Sequence, residues 1–365
     1  MKKHTSTGTH IPAERTGKPM ELIKPNKLQA GDLVATVSLS WGGAGDSEFR
    51  WRYEQGKRRL IEEFGLRVVE MPNTLKGSQY LYEYPEARAA DLMEAFANPE
   101  IKAIFSCIGG QDSIRLLPHI DFDIIRANPK IFLGYSDSTI THLFCYKAGL
   151  TSFYGPSILA EFAENIRMFD YTAEYVRKTL FSSEPVGLIP AASEWTGERI
   201  EWLEENKHLT KTVYANPGYE FMQGTGKVSG RLIGGCMEVL EQAKGTVIWP
   251  DADAFAGAVL FLETAEGTPD PDSVLDWLRN YAAQGILHQV VAIIFGKPYQ
   301  EKYYDEYREV IKTIVVENGL ENLPIVYNMT FGHNQPMFIL PYGCLAEIDC
   351  EAKTFRLLEA GVSQS

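Results

Sequence analysis

The sequence predicts an α/β fold in two parts, and three observations carry that reading. Short apolar stretches alternate with helix-length segments from Leu28 onward. Some of those stretches, Ile101 to Ile108 above all, are apolar nearly throughout, as strands of a parallel sheet covered on both faces must be. At 365 residues the chain is long enough for two domains.

Asp32 to Ser38 reads as a first strand, Phe49 to Phe64 as a charged amphipathic helix, and Leu66 to Met71 as a second strand. Pro85 to Ala97 follows as a helix with proline near its first turn. The strand Ile101 to Ile108 breaks at Gly109-Gly110, and Ser113 begins a short helix. A further apolar strand runs from Lys130 into the turn at Ser136, and Thr139 to Leu150 reads as a helix closing near Gly149. A helix over Phe162 to Phe181 ends this half.

Between Ser182 and Tyr219 the pattern changes, with Pro185, Pro190, Pro217 and several polar turns. That change puts a boundary near Ser183. Residues 1–21 then form a loose N-terminal arm, 22–183 the first domain and 184–365 the second, with a loop over 184–223 bearing Trp195 and Trp202. The second domain offers strands at Gly226 to Ile233, Ala256 to Glu263, Gln289 to Phe295 and Pro324 to Tyr327. Its helices are Met237 to Ala243, Pro271 to Ala283 and Tyr304 to Asn318, and its closing strands Met337 to Leu340, Cys344 to Asp349 and Thr354 to Leu358.

Composition narrows the function. A net charge of −13 argues against a broad nucleic-acid surface. No apolar run approaches the ~18 residues of a membrane span, and the polar N-terminus lacks a secretory h-region, so a cytoplasmic protein is expected. Five cysteines without a C-x-x-C pair read as reduced, mostly buried thiols. No H-E-x-x-H or other ligand cluster calls for a metal.

The chemistry concentrates at Lys130-Ile-Phe-Leu-Gly-Tyr-Ser136-Asp-Ser-Thr139. A serine on a tight turn between strand and helix points its hydroxyl out of the sheet, beside backbone N–H groups able to steady an oxyanion. Ser136, Asp137 and Ser138 are also good N-caps, so the same residues suit a plain helix start. A nucleophilic Ser136 needs a base. His4 and His10 lie in the arm, and His142 sits six residues on, roughly 240° round the helix and about 9 Å along it. His119 and His208 read as surface residues and His288 as a strand cap or packing residue. His333 remains, in the polar loop Thr330-Phe-Gly-His-Asn-Gln-Pro336, where a solvated loop histidine is the competing reading. Glu263 ends a buried strand, where ligand-facing groups of α/β sheets gather, although a loop cap would look the same. Gly109 and Gly110 allow close backbone approach, so the N–H groups of Gly110 and Asp137 form a candidate oxyanion hole. A phosphate cradle is the weaker alternative, since neither G-x-G-x-x-G nor G-K-[ST] is present.

Taken in order, Gly109-Gly110, Gly134 to Thr139, Tyr154-Gly-Pro156, Gly230 to Gly235, Leu260 to Glu263, Gly332-His333 and Pro341-Tyr-Gly343 resemble the LD-carboxypeptidase family of serine peptidases. The likeness spans roughly Leu22 to Leu358. Within the family the chain looks most like the microcin C immunity group, through Leu116 to Asp123, Asn128 to Ile131, Phe153 to Pro156 and the Trp195-to-Trp202 loop.

The resemblance implies a flavodoxin- or Rossmann-like nucleophile domain, a mixed α/β C-terminal domain, a cleft between them and a homodimer. It implies a triad of Ser136, His333 and Glu263 working through an acyl-enzyme, with neither metal nor cofactor. Gly109, Ser113, Trp195 and Trp202 are expected to line the substrate, the tryptophans stacking on a nucleotide-like group. Two departures bear on substrate: Cys236 stands where relatives often have Asn, and Thr264 where they have Asp. The expected substrate is a microcin C-like aminoacyl nucleotide, whose amide cleavage would detoxify it. A muropeptide with a terminal D-amino acid is the alternative, and a non-catalytic ligand-binding or sensor protein the reading of another class.

Overall fold

The computed structural model describes residues 21–364; the expected N-terminal arm, Glu21 apart, lies outside them, as do His4 and His10. Its strands are β1 (Leu33–Val37), β2 (Arg67–Glu70), β3 (Ile101–Ser106), β4 (Ile131–Gly134), β5 (Phe153–Tyr154), β6 (Gly187–Leu188), β7 (Glu194–Trp195), β8 (Tyr214–Ala215), β9 (Glu220–Gln223), β10 (Lys227–Cys236), β11 (Val259–Glu263), β12 (Ala292–Gly296), β13 (Ile325–Met329), β14 (Leu340–Pro341), β15 (Leu345–Asp349) and β16 (Thr354–Leu357). The α-helices are α1 (Arg50–Glu62), α2 (Ser78–Glu83), α3 (Pro85–Ala97), α4 (Phe122–Ala127), α5 (Thr139–Ala148), α6 (Asp170–Leu180), α7 (Met237–Ala243), α8 (Ala252–Phe255), α9 (Pro271–Ala283) and α10 (Tyr304–Asn318).

The first sheet runs β14-β5-β4-β3-β1-β2. Its five strands from the N-terminal half are parallel, and only β14, arriving from far along the chain, pairs antiparallel. The second runs β6-β16-β15-β10-β11-β12-β13-β9, with a parallel centre from β10 to β13 and antiparallel flanks. This is the mixed α/β architecture the alternation of elements predicts. Strands β4, β11, β12 and β13 are buried at every position, which accounts for their apolar sequences.

Local chemistry sets the helix ends. Proline occupies the first turn of α3 and of α9, where its missing N–H costs nothing. Asp270 caps α9 by accepting from Ser273 N, and Gly149 closes α5 in a left-handed conformation at φ 83.

Two expectations need correction. The segment Phe162 to Phe181 is not one helix: a π-helical turn covers Ile158–Phe162, and α6 begins only at Asp170. The carbonyls of Leu159 and Ala160 and the Asn165 amide oxygen are instead turned to the buried Arg52 guanidinium. A buried cation needs such acceptors, and that need outweighs local helix preference. His288 lies exposed in a 3-10 turn rather than packing against a strand.

Apolar clusters cross from one half to the other, one joining Ala35, Phe132 and Leu143 to Ile233, Met237 and Leu260, another joining Tyr135 and Tyr154 to Leu232 and Phe261. Both sheets turn the C-terminal ends of their parallel strands toward the same place. Ser40 and Trp41 follow β1, Gly109 and Gly110 follow β3, Ser136 follows β4, Glu263 ends β11 and His333 follows β13.

Candidate active site

Ser136 follows β4 in a 3-10 turn that leads directly into α5. Its φ of 61 is left-handed, which costs a non-glycine residue about 1–3 kcal/mol and persists only where the surroundings hold it. The strain lifts the hydroxyl away from the sheet. His333 Nε2 lies 2.9 Å from Ser136 Oγ, and His333 Nδ1 lies 2.7 Å from Glu263 Oε2. A carboxylate only accepts, so Nδ1 carries a proton, and once the ring is neutral Nε2 is left to accept from the serine. Both acidic and basic side chains are nearly sealed, at 3% exposure for His333 and 1% for Glu263.

Burial pulls the His333 imidazole down, but the charge and hydrogen bond of Glu263, with Glu266 and Glu238 further off, outweigh it and push the pKa up to about 9. The ring is held from the side by Tyr135, edge-on at 5.1 Å. Glu161, from the π-helical turn, accepts from Tyr135 OH, Ser157 N and the Gln335 amide, and burial raises its pKa. This arrangement can take a proton from a hydroxyl onto an imidazole whose new charge is balanced by a carboxylate.

Gly332 is required by this geometry. Its φ is 99, and a Cβ there would stand 2.8 Å from Glu263 Oε2. Gly109 is required for a different reason: a Cβ would fall 2.9 Å from Ser136 Cβ, 3.1 Å from its Oγ and 3.3 Å from Asp137 N. Without that carbon, space remains beside the hydroxyl and the Asp137 N–H. Gly110, at φ 153, follows the Trp41 N–H bond to the Gly109 carbonyl, which ties this turn to the end of β1.

Other expected site residues occupy less direct positions. The Asp137 carboxylate is buried and accepts from Ser113 N, and burial raises its pKa. Ser113 is itself buried, and its hydroxyl donates to the Asp137 carbonyl, so both its polar groups brace the turn behind the nucleophile. Trp195 is buried, with Lys297 Nζ 4.1 Å from its ring and Tyr214 beside it. Trp202 is half-buried, with the Arg52 guanidinium at 4.6 Å and Trp41 stacked at 6.3 Å. The loop between them is fastened to the His333 loop by reciprocal backbone bonds of Thr196 and Gln335. Cys236, expected near substrate, is fully buried: its thiol turns inward to Glu238 Oε2 at 3.3 Å, because an apolar sulfur is stable in the core where an amide would need partners. All five cysteines are unpaired, four of them buried.

Sequence reasoning assigned no role to Tyr154, Trp41, Arg52 or Glu161. Trp41, in the loop four residues past the end of β1, could have been found by its place beyond the C-terminal edge of a parallel strand. Arg52 and Glu161 carry little local signal, since all the hydrogen-bond partners of the first and two of the three of the second, Tyr135 and Gln335, are distant in sequence. Among the described residues no group of three or more His, Cys, Asp and Glu is arranged to hold a metal ion, and no helix is long and apolar enough to cross a membrane.

Comparison with known proteins adds independent observations. The profile of the LD-carboxypeptidase N-terminal domain matches residues 34–155, and that of the LD-carboxypeptidase C-terminal domain matches 229–348. A Vibrio cholerae protein named a carboxypeptidase is 32% identical over 92% of this chain and 98% of its own length. The microcin C7 self-immunity protein MccF of Escherichia coli is 30% identical over 83% of this chain and 87% of its own. An MccF-like protein of Streptococcus pneumoniae, solved in complex with AMP, superimposes with a TM-score of 0.83 at 31% identity, covering 90% of this chain and 98% of that one.

Proposed function

The chain belongs to the LD-carboxypeptidase family, and from that premise we propose that it is a serine amidohydrolase using Ser136, His333 and Glu263. One observation carries the reading: the hydroxyl, imidazole and carboxylate lie in series at 2.9 and 2.7 Å although they come from three separated segments. Ser136 Oγ attacks the scissile carbonyl while His333 Nε2 takes its proton; Glu263 balances the imidazolium. The oxyanion is met by the N–H groups of Asp137 and Gly110. His333 then returns the proton to the leaving nitrogen, and water, deprotonated by the same imidazole, releases the acyl group and regenerates Ser136.

The substrate we propose is a microcin C-like aminoacyl nucleotide, cleaved at its aminoacyl amide. Support comes from the likeness to MccF and to an MccF-like protein solved with AMP, and from the half-buried, stacked rings of Trp41 and Trp202, which put aromatic surface beside the Gly109 turn. The same reading carries a cytoplasmic homodimer. The test is to offer purified protein an aminoacyl sulfamoyl adenosine and an L,D-linked tetrapeptide muropeptide in parallel, following products by mass spectrometry, with Ser136→Ala as control. Faster release from the nucleotide conjugate supports the proposal; preferential release of a terminal D-amino acid assigns the enzyme to muropeptides; saturable binding without product from either points to a sensor.

A further inference from the structure

We infer that Tyr154 is a positioning residue for this site, its hydroxyl holding the nucleophile's backbone and the far oxygen of the acid in one fixed arrangement. The inference rests on the proposed roles of Ser136, His333 and Glu263. Tyr154 is buried, and its hydroxyl accepts from Ser136 N at 3.2 Å and donates to Glu263 Oε1 at 2.5 Å. A phenol has one proton to give, and here it goes to the carboxylate.

The backbone places the ring where all three segments meet. Tyr154 lies opposite Gly134 on one side, at the end of the strand that leads into Ser136. On the other side it lies opposite Leu340, in the strand that follows the His333 loop. Its ring packs at 5.5 Å against Phe261, two residues before Glu263 on β11.

Two consequences follow. The Ser136 N–H is engaged by the phenol, so it is withheld from the oxyanion, which leaves that task to Asp137 and Gly110. The two oxygens of Glu263 are also divided, Oε2 to His333 and Oε1 to Tyr154, so the carboxylate cannot rotate away from the imidazole. Removing the phenol's proton donor leaves more negative charge facing His333 and makes the imidazolium harder to deprotonate. The other titratable groups facing His333 are Glu266 from the loop after β11, Glu238 from α7 and Tyr135 after β4; those facing Tyr154 are Glu263, Cys236, Tyr135 and, from α5, His142. Of these groups only Glu263 loses a hydrogen bond on substitution at Tyr154. The phenol itself keeps its proton throughout, since burial holds its pKa well above the ordinary value.

The test is the rate at which a fluorophosphonate probe labels the protein between about pH 6 and about pH 10. It needs no knowledge of the substrate. Wild type is expected to be labelled at Ser136 and Ser136→Ala to be unlabelled. Tyr154→Phe should react about tenfold more slowly, with the acid limb of its pH profile moved to higher pH, and the loss should shrink to about twofold or less in a Glu263→Gln background. Labelling of Tyr154→Phe at the wild-type rate and pH dependence, or an equal loss in both backgrounds, overturns the role of Tyr154 and leaves the proposed triad standing. Equal labelling of wild type and Ser136→Ala overturns both. Should Tyr154→Phe fail to fold, 3-fluorotyrosine in place of Tyr154 keeps the hydroxyl and makes it a stronger donor. It should move the acid limb to lower pH, and an unmoved limb rejects the inference.

Discussion

His333 is pulled in two directions, and the outcome sets how the protein should respond to pH. Burial favours the neutral ring, Glu263 favours the imidazolium, and the second effect wins, giving a pKa of about 9 against 6.5 for an unperturbed histidine. A general base must be neutral, so kcat/KM should climb from neutral pH and level off only beyond about pH 9, as a pH-rate profile will test. Stability should run the other way. A folded pKa above the unfolded one means that the contribution is fully present below pH 6.5 and is lost as pH rises through about 9. Urea unfolding of wild type against His333→Gln should therefore show an advantage of about 3 kcal/mol near neutrality that disappears under alkaline conditions. Ser136, Glu263 and His333 were readable from sequence because each pairs a reactive residue type with a strand end or a glycine-bearing loop. Tyr154 was not, because a tyrosine in a short apolar strand looks like core until its hydroxyl partners are seen.

At the scale of elements, the turns around the site tolerate little. Gly109→Ala puts a carbon 3.1 Å from Ser136 Oγ and 3.3 Å from Asp137 N. Turnover should fall by about 10²-fold, as on losing an oxyanion donor, and the 2.9 Å approach to Ser136 Cβ should lower the thermal midpoint as well. Gly332→Ala meets both a left-handed φ and Glu263 Oε2, so it should cost more than about 1 kcal/mol in urea unfolding as well as activity. Helices α3, α7, α9 and α10 match their sequence-based bounds because their own ends and periodicity define them. The segment between Ala163 and Phe169 was misread as helix because what opens it is Arg52, more than a hundred residues earlier in the chain. The two-residue strands β5 to β8 carry too little pattern to be recognised before their partners are known, and the strand expected over Met337 to Leu340 is in fact β14, only Leu340–Pro341, because pairing with β5 is what defines it.

For the whole molecule, the alternation of strands and helices announced a parallel sheet in the first half and a mixed α/β second half, but neither the parallel centre of the second sheet nor how the two are joined. That β14 returns to the first sheet beside Tyr154, after the chain has built most of the second, depends on pairing across nearly two hundred residues. This return brings the His333 loop onto Ser136. The proposed homodimer makes a separate prediction at this scale: sedimentation equilibrium should give twice the 41.0 kDa chain mass. The central claim is that a hydroxyl from one sheet is activated by an imidazole and a carboxylate from the other. Its most direct test is the steady-state hydrolysis of an aminoacyl sulfamoyl adenosine by wild type, Ser136→Ala, His333→Gln and Glu263→Gln. The account predicts product from wild type, a loss of about 10³-fold or more in kcat for the serine and histidine variants with ligand binding retained, and a smaller loss for the glutamate variant. Undiminished turnover by Ser136→Ala would contradict it.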